Sequence, residues 1–381
     1  MLVRLVRLVW WLPGWPCRQR RGGTRTGLLS APRRRRAHDR RRRRARAADP
    51  AMGVRLLAPE TCSFGGMSFR LLGLIALNSL ACVTGAMAQT GCTTQPLMLQ
   101  VLGSGGPFPT GDRASSGYLI WRQGRPIVMV DAGGGTFLRF GQAGARLADL
   151  SLLAISHLHP DHVSDLPALL WQSDRLRQSP LKVAGPSGSG PFPPFDAFVR
   201  RLFDSAGGAF PFLSGTVGQG GTGVRLDVVT IDVAASTPTR VLLEQDLEVT
   251  ALGVPHGVVP SVAYRIRVGD RSIVLGSDQN GTNPRFPDFA AGADLLVLHL
   301  ALAQGAPDAI AQRHARPATV GQVATAARAR RLVLSHLIQA IPPVDIQWYS
   351  LSDLDAAVAE VRKSYSGPIE TASDLQCIPM G

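Results

Sequence analysis

Negative charge is nearly missing from the first 88 positions, which hold only Asp39, Asp49 and Glu60 against 18 arginines. The formal charge of +14 therefore sits in this leader, because the remainder, with 23 basic and 24 acidic residues, is close to neutral. A near-neutral remainder argues against the polyanion-binding domain that the overall charge would suggest. Long apolar runs are lacking too: Leu71 to Leu80 falls short of the about 20 residues that a membrane-spanning helix needs. Cysteine is scarce at five residues, and Cys17, Cys62 and Cys82 all lie in the first 88 positions. No internal repeat is present, which excludes solenoid and propeller arrays.

Residues 33–47, "RRRRAHDRRRRRARA", have no apolar periodicity and repel themselves, so residues 1–66 read as a disordered leader. Arg70, the apolar stretch after it and Ala86-Met87-Ala88 have the order of a secretory signal peptide over residues 67–88, with cleavage before Gln89. A signal sequence does not work from behind 66 residues, so the expectation is that translation starts at Met67 or Met52. The alternatives are a membrane anchor, a lipoprotein site at Cys82 with Ser79 where leucine is usual, and a basic leader that is retained to tether nucleic acid or membrane. Residues 89–381 are long enough for one sizeable domain. In an oxidising compartment the remaining pair, Cys92 and Cys377, is a disulfide candidate; the alternative is two unrelated buried thiols.

Strands are predicted at 97–103, 117–121, 126–131, 150–156, 224–233, 247–254, 261–268, 271–277 and 332–336, where short apolar or alternating runs are bounded by Gly, Pro or Asp. Helices are predicted at about 164–177, at 318–331 and at 351–365, the last capped by Ser352 or Asp353, and a loop at 207–223. This alternation points to an α/β protein with two sheets packed face to face and helices outside.

Residues 155–165, "ISHLHPDHVSD", carry three histidines and two aspartates straight after an apolar run. His157 and His159, two apart in extended chain, share a face, and Asp161 and His162 sit on the turn into the next helix. Imidazole with carboxylate suits zinc and its first-row neighbours. A solvated polar turn does not account for three histidines in six positions. His256, Asp278 and His336 also sit at strand ends or in turns, which makes ligands enough for two ions.

These residues resemble the metallo-β-lactamase superfamily, and within it the ribonuclease Z and arylsulfatase branch. The resemblance runs from about Leu99 to His336, through "LGSGGPFPTGDRASSGYLI", "VDAGGGT", "SHLHPDHVSDLPALL", "PHGVVPSVAYRI", "VLGSDQN" and "RLVLSHL". It implies an αββα sandwich holding two zinc ions. One takes His157, His159 and His256, the other Asp161, His162 and His336, and Asp278 bridges them. It further implies that Asp161 orients the attacking water and that His314 protonates the leaving oxygen, a structural role for His314 being the alternative. Two departures bear on the substrate. His256 and Asp278 are only 22 residues apart, too few for the long arm with which ribonuclease Z enzymes grip tRNA, and Leu300 stands where those enzymes have glutamate after His299. The expectation is a periplasmic or secreted hydrolase of a small phosphodiester or sulfate ester. It would have no nucleic-acid partner in the mature form and no membrane contact after cleavage, and homo-oligomerisation is left open. A lactonase or β-lactamase, a ribonuclease Z-type endoribonuclease and a non-catalytic metal-binding protein are the alternatives.

Overall fold

Apolar side chains alternate along strands that are covered on both faces, and this alternation builds three packed layers. The computed structural model describes residues 92–380 apart from 94, 110, 172–176, 178 and 340–349; the expected leader, signal peptide and cleavage point lie outside the described residues. The strands are β1 (Leu97–Gly103), β2 (Gly117–Arg122), β3 (Arg125–Val130), β4 (Leu152–Ala154), β5 (Leu181–Pro186), β6 (Leu226–Ile231) and β7 (Thr239–Glu244). They continue with β8 (Leu247–His256), β9 (Val259–Val268), β10 (Arg271–Leu275), β11 (Leu295–His299), β12 (Leu332–Ser335), β13 (Ile369–Thr371) and β14 (Cys377–Pro379). They form two seven-stranded sheets, in the orders β14-β1-β2-β3-β4-β5-β6 and β13-β12-β11-β10-β9-β8-β7.

Leu99 and Val101 of β1, Val128 and Val130 of β3, and Leu295 and Val297 of β11 point into the layer between the sheets. Their neighbours Met98, Met129 and Leu296 point outward under helices. The first sheet is covered by α1 (Thr136–Gln142), by α2 (Pro160–Val163) with α3 (Leu166–Trp171), and by α4 (Phe195–Phe203). The second is covered by α5 (Phe286–Phe289), α7 (Pro317–Ala326) and α8 (Leu354–Arg362), with α6 (Asp308–Ala311) at the rim. This is the expected two-sheet sandwich with helices outside.

Two local expectations need correction. The helix predicted at about 164–177 is α3, which starts at Leu166 and runs to Trp171, residues 172–176 lying outside the described residues; a separate short helix, α2, precedes it, because the Asp165 N–H donates to the Ala132 carbonyl instead of continuing α2. The predicted loop at 207–223 contains a 3-10 segment at Pro211–Val217, which Leu213 anchors in the core. Asp353 caps α8, its carboxylate accepting from the Ala356 N–H. Cys92 and Cys377 form the expected disulfide, with Cα atoms 5.6 Å apart, and tie the first described residues to β14.

Candidate metal centre

Topology brings the site together. β10, β11 and β12 are parallel, and β8 runs in their direction because β9 is antiparallel to both β8 and β10. The C-terminal ends of these four strands therefore share one rim, which receives His256, Asp278, His299 and His336. In the first sheet β3 and β4 are parallel and bring Asp131 and His157 to the same rim. Asp131, Ser277 and His336, each at or just past a strand end, have positive φ of 63°, 58° and 54°. Such backbone costs about 1–3 kcal/mol per residue and collects at functional sites.

Hydrogen bonds behind the imidazoles fix which nitrogen faces inward. The Asp131 carboxylate accepts from His162 Nδ1 at 2.8 Å, and from the Ser156 N–H and hydroxyl at 2.7 and 2.9 Å. The carbonyl of Arg313 accepts from His256 Nδ1 at 2.6 Å. A carboxylate or carbonyl can only accept, so in both histidines Nδ1 carries the hydrogen and Nε2 is left as a ligand atom. His157 Nδ1 is held likewise, 3.1 Å from Ser156 Oγ.

The inward atoms form two sets that meet at Asp278. Its Oδ2 lies 3.6 Å from His157 Nε2, 3.6 Å from His162 Nε2 and 3.5 Å from His256 Nε2, and its Oδ1 lies 3.4 Å from His336 Nε2. His159 Nδ1 completes the first set, 3.0 Å from His157 Nε2. Asp161 Oδ2 completes the second, 3.2 Å from His336 Nε2 and 3.5 Å from His162 Nε2. Ligands about 2.1 Å from one tetrahedral ion stand roughly 3.4 Å from one another. The spacing is thus that of ligands around an ion, and His162 Nε2, fully buried, has no hydrogen-bond partner among the described residues. All seven residues expected as ligands are brought together, in groups within reach of single ions. The buried histidines and aspartates fit a dinuclear centre for first-row divalent metals.

Burial, and then His162 beside it, pushes His157 well below its usual range. Burial and His256 lower His159 to about 4, and burial lowers His256. Burial alone would raise Asp161 and Asp278, but His162 and His336 beside Asp161, and His336, His314 and His162 around Asp278, hold both below the carboxylate range. His162 goes the other way: burial lowers it, and Asp161, Asp131 and Asp278 outweigh that. The centre thus keeps ionised carboxylates beside mostly neutral imidazoles, the forms that bind metal.

His314 stands at the edge of the centre, and its Nδ1, 3.8 Å from Asp278 Oδ1, has no hydrogen-bond partner among the described residues. Burial lowers it to about 3. It lines a cavity of about 300 Å³ above the ligands, walled by Phe108, Ile310 and Ile338 and edged by Arg313. His256 and Gly257 also line a larger open groove of about 570 Å³, in which Arg285 is the only charged side chain among the described residues. Leu300 is fully buried in the outer layer of the second sheet.

Sequence reasoning missed three residues of the site. Asp131 stood inside the "VDAGGGT" motif without a role. His299, with Nδ1 2.5 Å from Asp278 Oδ1, was noted only as the residue before Leu300, and Tyr118 behind it only as part of the first motif, neither with a role.

The Metallo-beta-lactamase superfamily profile matches residues 110–174, which include His157, His159, Asp161 and His162. Ribonuclease Z of Mycobacterium sp. (strain KMS) is 30% identical over 260 residues, 64% of this chain and 85% of the relative. Ribonuclease Z of Mycobacterium bovis (strain BCG / Pasteur 1173P2) is 26% identical over 296 residues, 73% and 96% of the two chains. Among solved structures, the short form of human tRNase Z superposes with a TM-score of 0.56 at 20% identity, covering 74% of this chain and 99% of that one. A metallo-beta-lactamase fold protein of Bacillus subtilis does so at 0.55 and 21%, with the same coverage. At these identities the structures establish the fold alone. With its two sheets, its paired ligand sets and these relatives, the chain belongs to the metallo-beta-lactamase superfamily, in its ribonuclease Z-like branch.

Proposed function

We propose that the protein is a dinuclear zinc phosphodiesterase of the ribonuclease Z type. The observation that carries this is Asp278, set 3.4 to 3.6 Å from ligands of both sets beneath an open cavity. When bound, a metal pair supplies Lewis acidity and activates water at neutral pH. The chain's own residues do the rest. Asp161, held ionised and lining the cavity, orients the attacking water. Arg313 offers a guanidinium to the phosphate, and His314, kept neutral by its burial, is placed to steady the leaving oxygen through a hydrogen bond.

The small phosphodiester or sulfate ester expected from sequence gives way in part, because the curated relatives are named as ribonucleases and support an RNA phosphodiester over a sulfate ester, lactone or lactam. A small phosphodiester remains as a second reading, favoured by one observation. The segment from His256 to Asp278 is filled by β9, β10 and their tight turn, with no further element that could reach a folded RNA. We also place the mature protein outside the cytoplasm, in line with the signal-like segment and the Cys92–Cys377 disulfide.

The test is turnover of the purified protein on an RNA with a 3′ extension, bis-p-nitrophenyl phosphate, an aryl sulfate, a lactone and a lactam. The expected result is hydrolysis of the two diesters, with the RNA preferred. Turnover of sulfate, lactone or lactam with both diesters untouched would overturn the reading, and turnover of the small diester alone would select the second.

A further inference from the structure

β11 delivers to the rim a histidine that neither ligand set uses. His299 is the last residue of that strand and is buried. Its ring stacks on that of His336, with centroids 4.6 Å apart and planes 14° apart, and its Nδ1 lies 2.5 Å from Asp278 Oδ1. Behind it stands Tyr118, on β2 of the opposite sheet, whose oxygen is 3.3 Å from His299 Nε2 and whose hydroxyl donates to Ser335 Oγ at 2.8 Å.

His299, Asp278 and His336 lie close enough to suggest a third ligand set. The short distance argues against it. Two atoms bound to one ion at about 2.1 Å, with an angle of 90° or more between them, are at least roughly 3.0 Å apart. The separations within the two ligand sets, 3.0 to 3.6 Å, obey this; the 2.5 Å between His299 and Asp278 does not, and requires a hydrogen between the two atoms.

The carboxylate has few other restraints. His157, His162, His256 and His336 stand 3.4 to 3.6 Å from its oxygens and His314 3.8 Å, beyond good hydrogen-bond range. Ser261 donates to the backbone carbonyl of Asp278 and leaves its side chain free. The Cβ–Cγ torsion of aspartate is intrinsically broad. Among the described residues, His299 is therefore the one close hydrogen-bond donor to the side chain on which both ligand sets converge.

We propose that His299 is a positioning residue. Donating from Nδ1, it sets the carboxylate plane of Asp278 so that Oδ2 faces the ligands of His157, His162 and His256 while Oδ1 stays beside His336, and the Tyr118 ring stacks behind the imidazole from the other sheet. Hydrogen bonds of this kind to metal-binding groups govern metal affinity as well as rate. The proposal rests on the metal-centre reading and is independent of the substrate.

The test compares His299→Asn, His299→Leu and Tyr118→Phe in the full chain, reading Zn²⁺ affinity by competition with a chelating indicator and the visible spectrum of the Co²⁺-loaded protein. The amide nitrogen of asparagine reaches the place of imidazole Nδ1 and donates a hydrogen, but does not serve as a ligand there. His299→Leu should weaken the affinity about 10- to 100-fold and alter the Co²⁺ spectrum. His299→Asn should restore affinity to within about threefold of wild type, and Tyr118→Phe, which keeps the stacked ring, should stay within the same range. Asparagine as damaging as leucine would make His299 a ligand, and leucine as good as histidine would make it packing; either overturns the proposal. Should His299→Leu fail to fold, His299→Asn still decides, because a loss of affinity of about tenfold or more in that variant would overturn the donor role. No metal binding by the wild type would instead refute the metal-centre reading.

Discussion

A methyl group added at Gly133 would sit 2.0 Å from the carbonyl oxygen of Asp161 and 2.8 Å from Ser115 Cβ. Ordinary contact there is roughly 3.4 Å, so the Asp161 carbonyl would have to retreat by about 1.4 Å. It has little room to do so, because the next residue, His162, is clamped on both sides: its carbonyl accepts from the Ala132 N–H at 2.8 Å and its Nδ1 bonds to Asp131 at 2.8 Å. A metal site tolerates displacement of about 0.5 Å. Gly133→Ala should therefore lose the ion held by Asp161, His162 and His336, lower turnover by about 10² or more, and cost about 1–3 kcal/mol of stability through overpacking. Gly134→Ala is the control. Its nearest neighbour is the Ser164 hydroxyl at 3.3 Å, a side chain that can turn away, so it should stay within about threefold of wild type. Elemental analysis, turnover of bis-p-nitrophenyl phosphate and thermal unfolding of both variants make the measurement. Full metal content and activity in Gly133→Ala would refute the claim that the glycine's missing side chain makes room for the ligand loop.

Asp278→Ala should lose metal and activity together. His314→Ala should keep about two zinc per chain and slow turnover by about 10² on poor leaving groups, but less on p-nitrophenolate; equal slowing on both would return His314 to a structural role. Replacing Cys92 and Cys377 by alanine opens a link across 285 residues and should cost about 2–5 kcal/mol, read as a lower denaturant midpoint; an unchanged midpoint would count against the bridge. Mass spectrometry of the protein from its host should find Gln89 at the N-terminus, and peptides from residues 1–66 in the mature protein would contradict export.

The seven candidate ligands were legible because the site's sequence signal is local. His157, His159, Asp161 and His162 fall within six positions, and His256, Asp278 and His336 each end or follow an apolar run. β1 was read to the residue, since Gly103 ends its run cleanly. β11 was not read as a strand: "LLVLH" is buried on both faces, so it lacks the alternation that separates strand from helix. α4 was missed although Phe195, Val199 and Phe203 recur every four residues, because the proline-rich approach to it reads as loop. The hydrogen bonds behind the ligands were invisible for a different reason. Asp131 meets Ser156 and His162 across 25 and 31 residues once β3 and β4 pair within the first sheet, and His299 meets Tyr118 across 181, a contact that exists only once the two sheets close on each other.

The central claim is that two ions held through Asp278 carry phosphodiester hydrolysis. It is tested most directly by titrating the metal-stripped protein with Zn²⁺ while the hydrolysis of bis-p-nitrophenyl phosphate is followed. The account predicts no turnover without metal and a rise that levels off at about two equivalents per chain. Turnover by the stripped protein, or a plateau at one equivalent, would contradict it.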